Sequence, residues 1–465
     1  MRPSAVVSAI FALCCCMGLS QAEIINKSVK RSWDLTRHVA KSQVDITFAD
    51  DAASVKTYEV AIPLYLDEHL ALLTAKADKN VALDVVKGKL DATKQAQLYT
   101  VHLKSPIAKG DEGSLKIISH YSRVMVPYPA EITQAEDQLV MFTAQHLFLS
   151  PYATTTQTTR VKLASSRVEQ YSELAPVSLK GTTLTYGPYA DVAAYGSLAF
   201  AKSLVVHFKN HAPFMTMTTL TKEIEVSLWG RVSTEEVVDL SHSGAVLKGG
   251  FSRFDYMQMP SASFRQFTAT LPKDVLNVYY RDQIGNITTS RMRQTTSRTE
   301  LELNARFPLF GGWKTQYYLG YSVPTQTVLF RSGETYKLEM DFSTCIDGAS
   351  VDDLTLKVIL PEGARNIKVH VPFSVDVQGE TTRQTYLDTA MVGRPVVILK
   401  KTNVVAQHNV PFTVTFEYPS RFLYREPLLL IGGFFAFFVV CMVLFRLDLS
   451  LTKAAVSTSP KAKVE

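Results

Sequence analysis

The sequence predicts a mainly β protein, with two tandem β-sandwich-like domains followed by one C-terminal transmembrane helix. Three observations carry that expectation. Apolar and polar residues alternate with period two through most of the chain, which is the signature of strands with one buried face. Glycine- and proline-centred turns recur between the alternating segments. A single long uncharged apolar run lies near the C-terminus.

Taken in chain order, Met1-Arg2 precedes a run from Ala5 to Leu19 that is apolar apart from Ser8, and Ser20-Gln21-Ala22 follows. A positive start, a short apolar core and a small-x-small exit form the layout of a cleavable signal peptide over residues 1–22. The cut is expected between Ala22 and Glu23.

Alternation then marks the strands. Tyr58, Val60, Ile62, Leu64 and Leu66 share one face, as do Ile224, Val226 and Leu228. Tyr336/Leu338/Met340/Phe342, Leu354/Leu356/Val358/Leu360, Ile367/Val369/Val371/Phe373 and Phe412/Val414/Phe416/Tyr418 repeat the pattern. Strands of this kind suit antiparallel sheets packed face to face. Helical pattern is scarcer: Gln134 to Leu149 is expected to form one helix, and Ser233-Thr234-Glu235-Glu236 reads as a capping box opening a short one. The two domains are placed at residues 23–230 and 231–426, with the boundary near Gly230, and no internal repeat is evident.

The apolar run from Leu428 to Phe445 has no charge, and Pro427 stands just before it, where a missing N–H is tolerated in a first helical turn. Residues 427–446 are expected to span the bilayer and 447–465 to form a short cytosolic tail. Arg446, Lys453, Lys461 and Lys463 follow the span, against Arg421 and Arg425 before it, so the downstream side reads as cytosolic and the bulk of the chain as luminal. Lys461 and Lys463 stand where a dilysine ER-retrieval signal would place them. Gly432 and Ala436, with Gly433 beside them, form a small-xxx-small face suited to close helix packing.

Composition limits the function classes. The chain is 46% hydrophobic and 20% charged, as in a packed globular protein, and its net charge of +6 is spread without the dense Lys/Arg clusters that nucleic-acid binding needs. Of five cysteines, Cys14, Cys15 and Cys16 lie in the signal peptide and Cys441 in the span, which leaves Cys345 alone in the luminal part, expected buried and inert. Asn26-Lys27-Ser28 and Asn286-Ile287-Thr288 are N-glycosylation acceptors on the luminal side.

Catalytic and metal patterns are not found. His207 and His211 are four apart but sit in strand-like sequence with no glutamate after the first, so no His-Glu-x-x-His exists. There is no phosphate loop and no Gly-x-Ser-x-Gly elbow. Asp50-Asp51 and Asp352-Asp353 read as turn residues, since neighbours on a strand point to opposite faces. No catalytic residue, metal or cofactor is expected, and the residues alone point to a binding or scaffolding module.

Several long, irregular strings stand out: Leu240-Ser241-His242-Ser243-Gly244-Ala245-Val246-Leu247-Lys248-Gly249, Tyr279-Tyr280-Arg281-Asp282-Gln283-Ile284-Gly285-Asn286, and Arg306-Phe307-Pro308-Leu309-Phe310-Gly311-Gly312-Trp313-Lys314-Thr315. Ile359-Leu360-Pro361-Glu362-Gly363-Ala364, Tyr386-Leu387-Asp388-Thr389, Gly393-Arg394-Pro395-Val396 and Arg446-Leu447-Asp448 add to them. Together these strings resemble the ribophorin I family, the alpha subunit (subunit 1) of the ER oligosaccharyltransferase complex. The resemblance implies a non-catalytic accessory subunit, not itself an enzyme. Its partners would be the catalytic subunit, a small membrane subunit, nascent polypeptides and the lipid bilayer. The complex moves a preassembled oligosaccharide from dolichyl diphosphate to Asn of Asn-x-Ser/Thr. An independent ER luminal chaperone or lectin-like binder on a membrane stalk is the competing reading, and a luminal hydrolase with an irregular site is a third. The aromatic string around Phe307, Phe310 and Trp313 reads either as a core corner, which aromatic burial favours, or as a docking surface.

Overall fold

The structure is a computed structural model that describes residues 24–447 except 51–53, 196–201, 259–261, 386–387 and 389–392. Ala22, Glu23, Lys461 and Lys463 lie outside the described residues.

Alternation builds the first unit. Its strands are β1 (Ile24–Leu35), β2 (Ala40–Asp50), β3 (Val55–Pro63), β4 (Leu70–Ala77), β5 (Ala82–Asp91), β6 (Ala96–Ile107), β7 (Glu112–Tyr121), β8 (Met125–Pro127), β9 (Glu131–Ile132), β10 (Leu139–Gln145), β11 (Thr154–Leu163), β12 (Val168–Tyr171), β13 (Val177–Lys180), β14 (Thr183–Val192) and β15 (Ser203–Lys209). A short helix, α1 (Leu64–Asp67), follows β3 and takes up Leu64 and Leu66, which the alternation had continued as strand. On β3 itself Tyr58, Val60 and Ile62 are buried, as the period-two pattern requires.

The second unit contains β16 (Met215–Val226), β17 (Arg231–His242), β18 (Val246–Leu247), β19 (Ser263–Pro272), β20 (Leu276–Asp282), β21 (Arg291–Gln294), β22 (Arg298–Phe310), β23 (Lys314–Pro324), β24 (Leu329–Ser332), β25 (Thr335–Asp341), β26 (Ser350–Ile359), β27 (Arg365–His370), β28 (Val377–Arg383), β29 (Arg394–Val404) and β30 (Pro411–Glu417). Two short helices, α2 (Arg253–Gln258) and α3 (Thr325–Val328), interrupt it, and α4 (Arg425–Arg446) closes the described chain.

The two units repeat one topology. In the first, a sheet runs β13-β14-β11-β1-β2-β7-β4; in the second, β28-β29-β26-β16-β17-β23-β20 occupies the same order. The parallel pair β1–β11 corresponds to the parallel pair β16–β26. The facing sheet is β12-β15-β10-β8 in the first unit and β27-β30-β25-β24 in the second. A three-strand group, β5-β6-β3, matches β21-β22-β19. It is joined to the large sheet in the first unit through Ala75–Leu83 and Lys76–Ala82. The sequence showed no repeat because the equivalence lies in strand order and burial, which many side chains satisfy.

One correspondence survives at the level of chemistry. Arg31 on β1 is buried and donates to the carbonyls of Gln145 (2.8 Å) and His146 where β10 ends. Lys222 on β16 is buried and donates to the carbonyls of Asp341 (2.9 Å) and Ser343 where β25 ends. Each unit thus places a cation from its first strand under the end of the corresponding strand in the facing sheet. Buried carbonyls there would otherwise lack partners.

Each unit has its own core. One hydrophobic cluster runs from Val29 to Phe214 and the other from Met215 to Phe422. The chain therefore passes between cores at Phe214 and Met215. Gly230, where the boundary was expected, lies in the turn between β16 and β17, two strands of one sheet. The units also meet side by side. Ser122 donates to Asn403 (2.7 Å), Arg123 pairs with Asp352, and β9 lies parallel to β18.

Two helix expectations are corrected. Within Gln134–Leu149 the regular element is β10, whose Val140, Phe142 and Ala144 are buried while Leu139, Met141 and Thr143, which alternate with them, are half-exposed or exposed. A short apolar run fits either period, and pairing with β15 and β8 settles it as strand. Ser233-Thr234-Glu235-Glu236 lies within β17. Glu236 does not turn back to cap a helix; it is buried 3.5 Å from Lys222 across the hairpin.

Candidate functional site

The strings singled out in the sequence converge in space at two places. The first is the root of α4. Phe422, just before the helix, packs against Gly363, where an added Cβ would lie 2.6 Å from its ring, so only glycine (φ +93°) fits. Arg425 stacks 3.9 Å from the Phe422 ring centroid, with Arg421 and Arg365 at 5.2 and 5.9 Å. Such contacts contribute about 0.5–2 kcal/mol each, according to how far they are desolvated. Arg425 also lies 3.6 Å from the buried Glu362.

Arg394 completes this anchor. Its guanidinium reaches Asp388 (2.9 Å), Glu225 at the end of β16 (2.9 Å) and Glu426 in the first turn of α4 (3.1 Å). Burial works to raise the Asp388 carboxyl, but hydrogen bonds from Arg394 and Thr385 hold it below the usual carboxylate range. Planar, multidentate Arg is suited to such a node because its donors diverge in one fixed fork. Neither Arg394 nor Glu426 was singled out as a site by the sequence, although Asp388 and Arg394 stand in strings that carry the resemblance.

From this root α4 extends with no residue buried against the other described residues. It is 22 residues long, and at about 1.5 Å per residue it reaches roughly 33 Å. The helix is long and apolar enough to cross a membrane. Gly432, Gly433 and Ala436 are exposed, and an added Cβ at either glycine meets nothing within 4 Å. The small-residue face is therefore open to a neighbouring helix.

The second convergence is an aromatic corner. The Arg306–Thr315 string meets the Leu240–Gly249 string so closely that a Cβ on Gly311 would lie 1.7 Å from the Ala245 carbonyl oxygen. Gly312 donates to the His242 carbonyl (2.9 Å) and Leu247 to that of Gly311 (3.2 Å). Arg306 pairs with Asp282 of the third string. Phe310 is buried, Trp313 packs partly against the core, and Phe307 and Phe251 are 39% and 43% exposed. The corner is thus core inside and aromatic outside.

The two glycosylation acceptors differ sharply. Asn286 is exposed, in the bend after β20 where Asp282 caps the N–H groups of Ile284 and Gly285. Asn26 is fully buried. Its amide donates to Ser150 (3.0 Å) and Thr154 (3.2 Å) and accepts from Tyr58 (2.9 Å). The amide nitrogen that a glycan would join is thus spent on buried hydrogen bonds in this packing.

Among the described residues no cluster of His, Cys, Asp and Glu is arranged to hold a metal. His207 lies on β15 and contacts the Tyr128 carbonyl (2.8 Å), while His211 lies 3.0 Å from Asp137. Asp352 is engaged by Arg123. Cys345 is buried 3.9 Å from Glu236, and burial, then that carboxylate, push its thiol well up.

The Ribophorin I family profile matches residues 24–445. The chain belongs to the ribophorin I family. It is similar to dolichyl-diphosphooligosaccharide–protein glycosyltransferase subunit 1A of Arabidopsis thaliana, at 36% identity over 98% of this chain and 76% of that protein. Subunit 1B of Oryza sativa subsp. japonica is 37% identical over 92% of each chain. Subunit 1 of Caenorhabditis elegans is 35% identical over 91% of this chain and 72% of that one. Among solved structures, an M1 zinc metallopeptidase from Deinococcus radiodurans aligns with 44% of this chain at 14% identity and a TM-score of 0.24. Both convergences described above fall inside the stretch matched by the ribophorin I profile.

Proposed function

We propose that this ribophorin I family chain is a non-catalytic subunit of the oligosaccharyltransferase complex, held in the ER membrane by α4 with both β units in the lumen. It holds the catalytic subunit and a small membrane subunit in place and offers a surface to nascent polypeptides. The complex transfers the oligosaccharide from dolichyl diphosphate to Asn of Asn-x-Ser/Thr. The observation that carries this reading is the coupling at the root of α4: a membrane helix with an open small-residue face is joined through Arg394 and Phe422 to a large folded body. Such a chain can act by fixing where a luminal body stands relative to a membrane partner.

The signal is cut after Ala22, leaving Glu23 at the mature N-terminus, and Lys461 and Lys463 return the protein to the ER. N-terminal sequencing checks the first, and Golgi-type glycan processing of a Lys461→Ser/Lys463→Ser variant checks the second.

Affinity purification from digitonin tests the main reading. A polytopic transferase co-purifies with the wild-type chain, and Gly432→Leu or Gly433→Leu reduces its recovery. A chain that runs alone, or with a glycan-dependent set of clients, overturns it in favour of an independent chaperone or lectin.

A further inference from the structure

The end of the second unit from which α4 departs carries a cluster of exposed aromatic and basic side chains. Arg394 bridges Glu225 and Glu426, so the end of β16 and the first turn of α4 stand side by side. Beyond Glu225 the chain continues into the β16–β17 turn before it reverses. At about 3.3 Å per strand residue, that turn reaches on the order of 10 Å past Glu225. Trp229 stands in the turn and is 58% exposed.

Neighbouring segments are tied to the same end. Thr325 at the start of α3 donates to the Gly230 carbonyl (3.0 Å). From α3 the chain enters β24, where Phe330 is half exposed. Arg331 donates to Ser420 (3.0 Å), in the turn that leads into α4, and Tyr424 of that turn is 59% exposed. Trp229, Phe330 and Tyr424 therefore stand at the end of the unit from which the helix departs. Arg331, Arg365 and Arg421 are exposed among them. Glu225, Glu362 and Glu426 at this root are each engaged by Arg394 or Arg425, and Glu417, beside Arg365, accepts from Asn366; Glu334 is exposed beside Tyr418.

We propose that this aromatic and basic end is a second membrane contact, which rests on the lipid headgroups beside the span with Trp229 dipping into the interface. The proposal rests on the reading that α4 crosses the bilayer. It commits to lipid because the surface is continuous with the apolar helix: Leu428, where the uncharged run begins, is two residues beyond Glu426. Indole and phenol rings partition to the headgroup level, and exposed arginines are attracted to lipid phosphates. The Arg394 and Phe422 contacts hold this end of the unit against the root of the helix, where the bilayer surface lies.

Full-length chain reconstituted in phosphatidylcholine vesicles brominated at the 6 and 7 positions of an acyl chain tests this. The chain has three tryptophans, and Trp33 is buried in the first core. Brominated lipid is expected to quench up to about a third of the tryptophan emission, the share of one indole in three. Trp229→Phe, at an exposed turn, abolishes that quenching. Equal quenching in wild type and variant, or a Trp229 quenched by aqueous iodide and untouched by brominated lipid, overturns the proposal. Flotation of the same sample separates the two readings. A chain that floats with the vesicles without Trp229 quenching defeats only the contact. A chain that does not float defeats the span, and the contact with it.

Discussion

The guanidinium of Arg394 lies 3.1 Å from the carboxylate of Glu426, and that contact joins the folded body to the first turn of its membrane helix. The two residues contribute unequally. Arg394 is 13% exposed and also holds Asp388, which is 1% exposed, whereas Glu426 is 37% exposed. Glu426→Ala removes a partly screened pair and is expected to cost about 0.5–1 kcal/mol. Arg394→Ala leaves a buried carboxylate without its cation and is expected to cost about 3–5 kcal/mol. Urea unfolding followed by tryptophan emission ranks them, and equal losses would contradict the assigned roles.

The same node sets an acid dependence. Asp388 titrates lower folded than unfolded, so its contribution is present above the ordinary carboxylate range and lost as pH falls through the depressed folded value. Arg394→Ala is therefore expected to flatten the decline of stability with acid below pH ~4, the ordinary carboxyl range. Unfolding midpoints across that range read the slope.

Lys222 and Glu236 face each other across the β16–β17 hairpin at 3.5 Å with both side chains buried. Removing either charge strands the other in the core, so Lys222→Ala or Glu236→Ala is expected to cost about 3–5 kcal/mol. The double change Lys222→Met/Glu236→Leu is expected to cost less than either single change, because no charge is left uncompensated. Cys345 beside them gives an independent readout. It should resist maleimide in the folded protein and react once denaturant opens this core.

The strand-rich character of the chain was legible because inward residues such as Leu354, Leu356 and Val358 alternate without interruption, and each is buried on β26. Gln134–Leu149 misled because Val140, Ala144 and Leu147 recur at helical spacing while Val140, Phe142 and Ala144 recur at strand spacing, and only the β15 and β8 partners decide. Ser233–Glu236 misled for a different reason. A capping box is a local signal, and the long-range pairing of Glu236 with Lys222 overrides it. The repeated topology was invisible because Arg31 and Lys222 perform one task with different side chains. The anchor of α4 was half legible: Asp388 and Arg394 stand close in sequence, but Glu225 and Glu426 join them only through the fold.

Three histidines gather where the units meet. His38, His120 and His408 are buried, and the first two line a cleft of about 410 Å3 to which Gly348, Ala349 and Val405 contribute from the second unit. Burial, first of all, brings each down to about 4 from 6.5, with Lys41 adding to the effect at His120 and Lys401 at His408. The unfolded chain therefore takes up these protons first as pH falls. Stability is complete above the unfolded value of 6.5 and declines between there and about 4. Acidification from pH 7 to 5 is expected to remove on the order of 1–2 kcal/mol per histidine, and His120→Leu to reduce that slope. Denaturation midpoints at the two pH values supply the check.

Asn26 and Asn286 carry the same acceptor tripeptide in opposite settings, and a pair of substitutions separates them. Asn286 is exposed in a bend, so Asn286→Gln should abolish the shift in gel mobility that glycosidase treatment produces. Asn26 is fully buried, with its amide bonded to Ser150, Thr154 and Tyr58, so Asn26→Gln should leave that shift unchanged. Its effect should appear in stability instead. The longer side chain cannot meet all three partners from the same backbone position, and an unsatisfied buried polar group costs about 1–3 kcal/mol. Tyr58→Phe removes one of these bonds while keeping the ring against Phe48, whose centroid lies 4.9 Å away, and should cost about 1 kcal/mol. If Asn26→Gln removed the mobility shift and left the unfolding midpoint untouched, the chain would not pack its first strand as described.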